Sequence, residues 1–375
     1  MNLYLLFKRQ CFTPEPPKNS NLFMSTKVYI ILVNYNGWED TIECLESILK
    51  NEYEDFQIVV VDNNSPNDSL LRLKQWAQGN FVIDSPKNEL LKSLSYPFAQ
   101  KPIRSIWYSK TEAENGGIEN ETILSNHLVF VDAGENNGFA GGNNIGIKYA
   151  LKKNDAKYIW LLNNDTVIEK DALDYLVNSI SSNDQVAAVG SKLLYYDEPA
   201  LIQSLGSQID SKSIYKLNKP IINTSKKNFD SDDLLDEIEV NDIMGASLLV
   251  KRAIIEECGL IPEAYFLYGE ETDWNFSFQN RGYKLLTIPK SRVYHKENRS
   301  TGGSGNPTML YYKTRNQFLL NNKYKNIFFF HTKLYFFQYV IRKFFRAIFS
   351  DSKVRRAILK GLKDGLNQVN GKIDI

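Results

Sequence analysis

The sequence predicts an α/β fold in which helices flank a mostly parallel sheet. Two apolar runs of strand length, Val28–Val33 and Ile58–Val61, end in polar residues and precede apolar positions at helical spacing. A third run, Tyr158–Leu162, is apolar apart from the Tyr158 hydroxyl and the Trp160 indole N–H, and it continues directly into two amides and a carboxylate. Such a run is typical of a strand that is buried on both faces. Repeated strand-then-helix units of this kind are typical of a doubly wound sheet.

Composition narrows the class of protein. The 375 residues suffice for one large domain or two small ones. Lys and Arg number 45 against 44 Asp and Glu, so the net charge of +1 gives no reason to expect a nucleic-acid partner. A hydrophobic content of 43% is typical of a globular protein. The three cysteines form no CxxC pair, which favours a reducing compartment and no cysteine metal cluster.

Residues 1–26 are predicted to be a disordered leader. The apolar run Asn2–Phe7 is too short for a signal peptide, and its charges follow it instead of preceding it. Pro14, Pro16 and Pro17 would then break any helix. Because Met24 directly precedes the first strand, it is a candidate start. Removal of residues 1–23 is expected to leave activity intact, and loss of folding would contradict this.

An insertion is predicted at residues 84–126. Prolines and Gly116-Gly117 interrupt the pattern there, and Ile106–Tyr108 is its one compact apolar cluster. We expect a short helix at Asn88–Leu94. The segment either reaches over a ligand or packs as a surface loop on its own aromatic residues.

A glycine-rich turn follows the strand Leu128–Asp132. Residues Asn136–Gly146 contain four glycines, which would let backbone approach a ligand, and the next helix would point its N-terminus there. The turn matches neither the P-loop nor the nicotinamide fingerprint. After the strand that begins at Tyr158 comes Asp165, which suits a divalent metal carrying phosphates. The alternative is an Asp that caps a helix near Glu169.

The second half of the chain contributes an acidic turn and a histidine. A helix near residues 173–180 and a helix at Arg252–Cys258 precede Glu270, Glu271 and Asp273, which lie at the start of another helix. These acids either favour the helix dipole or provide a general base. His295 ends a strand and is a candidate metal ligand, and the glycine-rich loop that follows it is a candidate lid.

The tail is helical, aromatic and basic. The apolar run from Ile327 to Ile341 is interrupted by polar residues and falls short of the roughly 20 apolar residues of a spanning helix. Aromatic residues interleaved with Lys and Arg suit a helix in the interface of an anionic membrane, so residues 327–350 are a candidate for peripheral contact. The alternative is packing on the catalytic domain or on a second subunit.

Five segments resemble, in order, the motifs of family-2 glycosyltransferases, with a closer likeness to the rhamnosyltransferase-like branch. They are Val33-Asn-Tyr-Asn-Gly37, Val61-Asp-Asn-Asn-Ser65, Asn137-Gly-Phe-Ala-Gly-Gly-Asn-Asn144, Leu161-Leu-Asn-Asn-Asp-Thr166 and Phe266-Leu-Tyr-Gly-Glu-Glu-Thr-Asp273. The resemblance implies a GT-A fold, with a Rossmann-like nucleotide half fused to an acceptor half. It also implies a nucleoside-diphosphate-sugar donor, Mg²⁺ or Mn²⁺, and inversion at the anomeric carbon.

The resemblance also implies roles for individual residues. Asp165 is expected to hold the metal, with Asn163 in place of the family's first carboxylate, and His295 is expected to complete the metal site. Glu271 occupies the position of the catalytic base, and Asp273 is the second candidate. Nucleotide-sugar binding is expected of Asn34, Asn36, Asp62, Asn64, Gly138, Gly142, Asn143 and Asn164.

The expected domains are a catalytic domain, 27–306, and a helical extension, 307–375. Within the former, residues 27–165 form the nucleotide-sugar half and 166–306 the acceptor half. The expected function is transfer from dTDP-rhamnose or a UDP-sugar to a glycan or lipid-linked glycan of the cell surface. The expected location is the cytoplasm, with attachment to the cytoplasmic face of the inner membrane left open. A sugar-nucleotide pyrophosphorylase or a non-catalytic carbohydrate-binding protein is the alternative.

Overall fold

A computed structural model of the protein describes residues 26–81, 83–118, 128–208, 219–221, 228–231, 236–296, 306–324 and 330–373. Four predictions fall wholly or partly outside the described residues. They concern the leader up to residue 25, the last part of the insertion (119–126), the candidate lid loop at residues 297–305, and the start of the candidate membrane-contact segment (327–329).

The chain forms strands and helices in alternation through its first half. The strands are β1 (Val28–Asn34), β2 (Phe56–Asp62), β3 (Ser105–Ser109), β4 (Leu128–Asp132), β5 (Tyr158–Leu162), β6 (Thr166–Ile168), β7 (Val186–Tyr195), β8 (Ile202–Ser204), β9 (Ser207–Gln208), β10 (Lys219–Pro220), β11 (Ile238–Val240), β12 (Ser247–Lys251) and β13 (Lys284–His295). The helices are α1 (Trp38–Ile48), α2 (Ser69–Gln78), α3 (Lys92–Ser95), α4 (Lys110–Glu114), α5 (Gly138–Lys153), α6 (Ala172–Ser182), α7 (Arg252–Cys258), α8 (Glu270–Gln279), α9 (Pro307–Tyr324), α10 (Phe330–Ile348) and α11 (Ser352–Leu366).

One large sheet runs through the molecule in the order β11-β13-β7-β12-β5-β1-β2-β4-β3, with β6 beside β13 and β8 beside β7. From β5 to β3 every neighbouring pair is parallel. Beyond β5 the sheet is mixed, because β12 runs antiparallel to both β5 and β7 while β13 runs parallel to β7. The predicted α/β class is therefore confirmed, with the parallel pairing concentrated in the first half.

Helices cover both faces of this sheet, which explains why the strands are continuously apolar. In β1, Ile30 and Leu32 belong to one buried core with α1, α2 and α6. Tyr29 and Ile31, pointing to the opposite face, belong to a second core with α5, α7 and α8. Alternate residues of a strand point to opposite faces, so a strand with a core on each side needs apolar residues at every position.

The insertion contributes a strand that the sequence did not predict. β3 pairs in parallel with β4 at the sheet edge, and Trp107 stacks on Phe130 with ring centroids 4.1 Å apart. α4 then begins with a capping box in which the Ser109 hydroxyl accepts from the backbone N–H of Glu112, whose side chain accepts from the backbone N–H of Ser109. The helix expected at Asn88–Leu94 is a single turn that lies later, at α3.

The C-terminal helices pack on one another and on the α/β part of the chain. Gly361 and Gly365 let α11 approach α9 closely: a Cβ at Gly365 would lie 2.5 Å from the Phe318 ring. α9 in turn contacts the acidic turn, because the Asn316 side-chain amide donates to the carbonyl oxygens of Leu267 and Tyr268, 2.7 Å away in each case. The two alternatives raised for residues 327–350 concern α10, whose Phe336, Val340 and Ala347 pack on α9 and α11.

Candidate functional site

A cleft of about 1440 Å³ opens where the strands of the parallel half end. Ligands of open α/β sheets bind at this edge. Of the twelve residues to which the resemblance assigns metal, base or nucleotide-sugar roles, seven line the cleft: Asn36, Gly138, Asn143, Asn164, Asp165, Glu271 and His295. The other five, Asn34, Asp62, Asn64, Gly142 and Asp273, do not contribute to the lining.

Asn34 and Asp62 form a buried layer behind the cleft. The Asn34 amide donates to Asp62 over 2.5 Å, and its carbonyl oxygen accepts from the Thr41 hydroxyl over 2.9 Å. The Thr41 oxygen accepts from the amide of Asn164, 2.8 Å away, and Asn164 reaches the cleft wall. This network fixes Asn164 through groups that are themselves satisfied, so the structure places Asn34 and Asp62 behind the cleft wall as its support.

Beyond β2, the residue that lines the cleft is Asn63 and not Asn64. Asn64 adopts a left-handed conformation, with φ of 57°, and its side chain is exposed. The side chain of Asn63 is buried, and its amide donates to the carbonyl oxygen of Gly138 over 2.9 Å. The sequence placed both asparagines at the strand end, and only the turn conformation distinguishes them.

The glycine-rich turn allows protein elements to approach one another. A Cβ on Gly138 would lie 2.1 Å from the carbonyl oxygen of Phe266, and Gly138 has a φ of +69°. A Cβ on Gly142 would lie 2.8 Å from the Val33 side chain. These glycines therefore bring the N-terminus of α5 against the acidic turn and against β1, and Gly138 also faces the cleft.

Asp165 and His295 meet at the wall formed by the strand ends. β6 and β13 pair antiparallel with His295 opposite Thr166, which places the imidazole Nε2 3.2 Å from a carboxylate oxygen of Asp165. Burial raises the pKa of Asp165, but the hydrogen bond and charge of His295 outweigh it, so the pKa lies below its ordinary value. Asp165 does not cap the following helix, since α6 begins at Ala172.

A carboxylate and an imidazole in contact are a suitable pair of ligands for a divalent cation. His295 Nδ1 lies 2.9 Å from the side-chain oxygen of Gln203, and an N–H donated there would leave Nε2 free to bind a cation in place of the proton that it shares with Asp165. Within the described residues, no group of three or more His, Cys, Asp or Glu side chains could hold a metal. A cation here would therefore need phosphate or water oxygens to complete its coordination.

Glu270 and Glu271 begin α8 on the opposite wall. Gly269 precedes them with a φ of 101°, and both Phe266 and Tyr268 have positive φ. Backbone held in these conformations is often found at functional sites. One carboxylate oxygen of each glutamate is buried without a hydrogen-bond partner among the residues that the structure describes. Burial raises the pKa of Glu271, and burial with the neighbouring Glu271 charge raises the pKa of Glu270 well above its usual range.

The structure does not bring Asp273 to the cleft. Its carboxylate accepts hydrogen bonds from the hydroxyls of Tyr265 and Tyr324 and forms an ion pair with Lys323 at 2.7 Å. Asp273 is 1% exposed. Because Tyr324 and Lys323 belong to α9, these contacts join α8 to α9. The carboxylate oxygens of Asp273 are used by these contacts, whereas Glu271 lines the cleft and has one oxygen without a hydrogen-bond partner among the described residues.

Asp242 is a cleft residue that sequence reasoning missed. It follows β11, accepts from Thr272 over 3.0 Å and from Asn275 over 2.8 Å, and lines the cleft near Glu271. Burial, and then the charge of Glu271, raise its pKa to about 7. The available signal was its place after a strand, which is where the other polar cleft residues also lie.

The family comparison agrees with this geometry. Residues 29–95 and 118–259, more than half of the chain, match Glycosyl transferase family 2. Among curated proteins, the low-salt glycan biosynthesis hexosyltransferase Agl10 of Haloferax volcanii is 21% identical over 205 residues, which are 52% of this chain and 60% of that protein. The chain thus spans less than two thirds of that relative.

Solved structures are similar at the level of the fold. The crystal structure of GalNAc-T7 with UDP, GalNAc and Mn²⁺ has a TM-score of 0.50 and 17% identity, over 79% of this chain and 48% of that one. The crystal structure of S. aureus TarS 1–349 has a TM-score of 0.49 and 13% identity, over 92% of this chain and 81% of that one. With the family match and this fold, the protein belongs to glycosyl transferase family 2 and has a GT-A fold.

Proposed function

We propose that the protein transfers a sugar from a nucleoside-diphosphate donor to an acceptor hydroxyl, with inversion at the anomeric carbon. The observation that carries this proposal is that one cleft is lined both by the Asp165–His295 pair and by the Glu271 carboxylate. A direct displacement needs a base that takes the proton of the acceptor hydroxyl and a group that stabilises the leaving diphosphate of the donor. Both must act in the same cleft.

The proposed reaction proceeds in one step. Glu271 accepts the proton of the acceptor hydroxyl as that oxygen forms a bond to the anomeric carbon. The bond from this carbon to the diphosphate oxygen breaks, and its electron pair leaves with the nucleoside diphosphate. The raised pKa of Glu271 makes the carboxylate a stronger base once it is ionised. Mg²⁺ or Mn²⁺, held by Asp165 and His295, would supply a Lewis acid for the leaving group.

The donor we propose is dTDP-rhamnose, with a UDP-sugar as the second candidate. The likeness of the five motifs to the rhamnosyltransferase-like branch supports the first. The presence of UDP and Mn²⁺ in GalNAc-T7, which has a similar fold, supports the second. Thermal stabilisation by dTDP, UDP and GDP with Mn²⁺ separates them, because a bound ligand raises the melting temperature by mass action.

Turnover tests the reaction itself. Release of nucleoside diphosphate that depends on an acceptor, with the product's anomeric configuration opposite to the donor's, is the expected result. Chemistry that requires pyrophosphate would favour a pyrophosphorylase. An absence of turnover with every donor, despite binding, would favour a carbohydrate-binding protein.

We further propose a glycan or lipid-linked glycan acceptor and peripheral attachment to the cytoplasmic face of the inner membrane. α10 carries an apolar face on its outer side, at helical spacing, whereas Phe336 and Ala347 pack inward on α9 and α11. The exposed members are Phe337, Ile341, Phe344, Phe345 and Ile348. Residues 336–366 carry eight basic residues, Arg342, Lys343, Arg346, Lys353, Arg355, Arg356, Lys360 and Lys363, against Asp351 and Asp364. This combination supports binding to anionic lipid.

None of the helices in the described ranges is long and apolar enough to cross a bilayer. Sedimentation with phosphatidylglycerol vesicles tests the surface contact. Phe344→Ser with Phe345→Ser is expected to abolish co-sedimentation, while Leu71→Ser with Leu90→Ser, exposed apolar residues elsewhere, keeps it. Equal binding by both double variants would contradict the contact.

A further inference from the structure

Three lysines from separate parts of the tail line one wall of the cleft. Lys313 lies in α9, Lys343 in α10, and Lys372 in the segment after α11. Their ammonium groups lie 4.7, 5.4 and 5.9 Å from the ring centroids of Tyr268, Tyr339 and Phe266, respectively. Among the residues that the structure describes, no carboxylate forms an ion pair with any of the three. We call these lysines the lysine wall.

Other poorly exposed lysines in this protein do have acidic partners. Lys192, which is fully buried, lies 2.6 Å from Asp230. Lys296 is 7% exposed and pairs with both Asp40, at 2.7 Å, and Glu43, at 2.6 Å. A cation taken out of water needs such a partner to offset the lost hydration. The lysine wall differs from these pairs because it faces a cleft that has room for an anionic ligand.

Lys343 is the member whose surroundings are least favourable without an anion. It is half-buried, and its neighbours Arg346 and Lys313 carry the same charge. Burial, followed by these two charges, lowers its pKa to about 8. A perturbed cation in a cleft is a recognised sign of a functional site, and an anion bound between Lys313 and Lys343 would remove the repulsion.

The position of the wall indicates which substrate it serves. Lys313 is close enough to Glu271 for its charge to act on that carboxylate. The acceptor hydroxyl must lie beside Glu271 if this residue is the base. The donor diphosphate has the Asp165–His295 pair on the wall formed by the strand ends. Through Lys313, the lysine wall therefore reaches the acceptor side of the candidate base.

We propose that Lys313, Lys343 and Lys372 bind a diphosphate carried by the acceptor, which is then a lipid diphosphate bearing the sugar that is extended. This inference rests on the proposed transferase function. Lysine ammonium groups are suitable point charges for phosphate oxygens. The cleft also presents the apolar side chains of Phe266, Met309 and Leu320, and the exposed apolar face of α10 lies on the helix that carries Lys343.

A direct binding measurement tests the proposal. Geranyl diphosphate, a soluble lipid diphosphate, is titrated calorimetrically into the full-length chain in EDTA, so that no metal supports binding at Asp165. Lys313→Gln, Lys343→Gln and Lys372→Gln combined should weaken binding by about tenfold or more, because charge-assisted contacts are lost. The charge-matched control combines Lys87→Gln, Lys152→Gln and Lys290→Gln, exposed residues outside the cleft lining, and should bind as the wild type does.

A second arm distinguishes the acceptor diphosphate from that of the donor. Thermal stabilisation by UDP or dTDP with Mn²⁺ should be the same in the lysine-wall variant and in the wild type. Loss of this stabilisation would overturn the acceptor assignment, since the lysines would then serve the donor. Unchanged binding of geranyl diphosphate by the variant would overturn the site. Lysine-dependent binding by a chain that turns over no donor would support the site and refute the proposed transferase function.

Discussion

The two walls of the cleft differ in how their polar groups are satisfied. On the wall formed by the strand ends, Asn164 is held by the hydrogen-bonded network of Asn34 and Asp62 behind it, and Asp165 and His295 contact each other. On the wall formed by the acidic turn and the tail, one oxygen each of Glu270 and Glu271 lacks a hydrogen-bond partner, and the lysine wall contacts aromatic rings but no carboxylate, among the described residues. The first wall is prearranged by the sheet, whereas the second leaves polar and charged groups available to a ligand.

This difference suggests a division of labour. Side chains fixed by their neighbours hold a constant geometry, which suits a donor diphosphate and a cation of fixed coordination. Charged groups that no protein group neutralises gain the most favourable interaction energy when a substrate binds. Such binding energy is therefore available on the wall proposed for the acceptor. Substitutions on the two walls should therefore fail in different ways.

The largest effect is expected on the strand-end wall. Asp165→Ala removes the one carboxylate of the candidate metal pair, and loss of several kcal/mol of leaving-group stabilisation lowers turnover by about a thousandfold or more. Steady-state nucleotide release in Mn²⁺ measures this. Asp132→Ala is the matched control, because Asp132 also ends a strand but is exposed and lies outside the cleft lining. Turnover within tenfold of the wild type would refute the role of Asp165.

The next effect is expected at Glu271. Glu271→Gln keeps the shape of the side chain but removes the base, so kcat should fall by about a hundredfold or more. In the wild type, the raised pKa of Glu271 means that the rate increases with pH through that raised value. The variant should lose this limb of the pH profile. Glu256→Gln, at an exposed glutamate on α7, is the control and should keep the wild-type rate. A wild-type rate for Glu271→Gln would show that another group is the base.

The sequence predicted the first wall better than the second for a physical reason. The carboxyl ends of parallel strands lie at one edge of a sheet because of the topology. A polar residue after each apolar run therefore predicts, from the sequence alone, a side chain at that edge. The expected helix Arg252–Cys258 is present with the same bounds, because its apolar positions and terminal glycine are local signals. β3 was not predicted because Pro97 and Pro102 interrupt the sequence pattern just before this short edge strand.

The second wall is assembled from segments that are distant in sequence. Asp242 follows β11, Glu271 begins α8, and Lys313 and Lys343 lie in α9 and α10. No local pattern links these residues, and only the packing of the tail on the acidic turn brings them to one cleft. The same packing explains Asp273: the sequence shows an acid near a candidate base, and the structure adds Lys323 and two tyrosines as its partners.

Asp273 therefore offers a contrast with Glu271 within one turn of helix. Asp273→Asn weakens the bonds to Tyr265 and Tyr324 and leaves Lys323, about half exposed, without its partner. The free energy of unfolding should fall by about 1–3 kcal/mol, with kcat changed only a few-fold. Glu271→Gln should show the reverse, with activity lost and stability kept. Paired denaturation and kinetic measurements decide, and a large loss of kcat at wild-type stability for Asp273→Asn would make Asp273 the base.

The smallest effect is expected at Asp242, and it appears in the pH dependence of stability. The folded pKa of about 7 lies above the roughly 4 of an unfolded aspartate, so between these values the folded state holds a proton that the unfolded state has lost. Stability therefore falls as pH rises through this window and is level above it. Asp242→Asn removes this contribution while Thr272 and Asn275 can still bond to the amide. The variant's melting temperature should fall less than that of the wild type between pH 4.5 and 7, by about a few degrees.

Asp132→Asn, at an exposed site, is the control, and its melting temperature should change with pH as that of the wild type does. If the melting temperatures of Asp242→Asn and of the wild type changed equally with pH, Asp242 would be ionised in the folded state throughout this pH range.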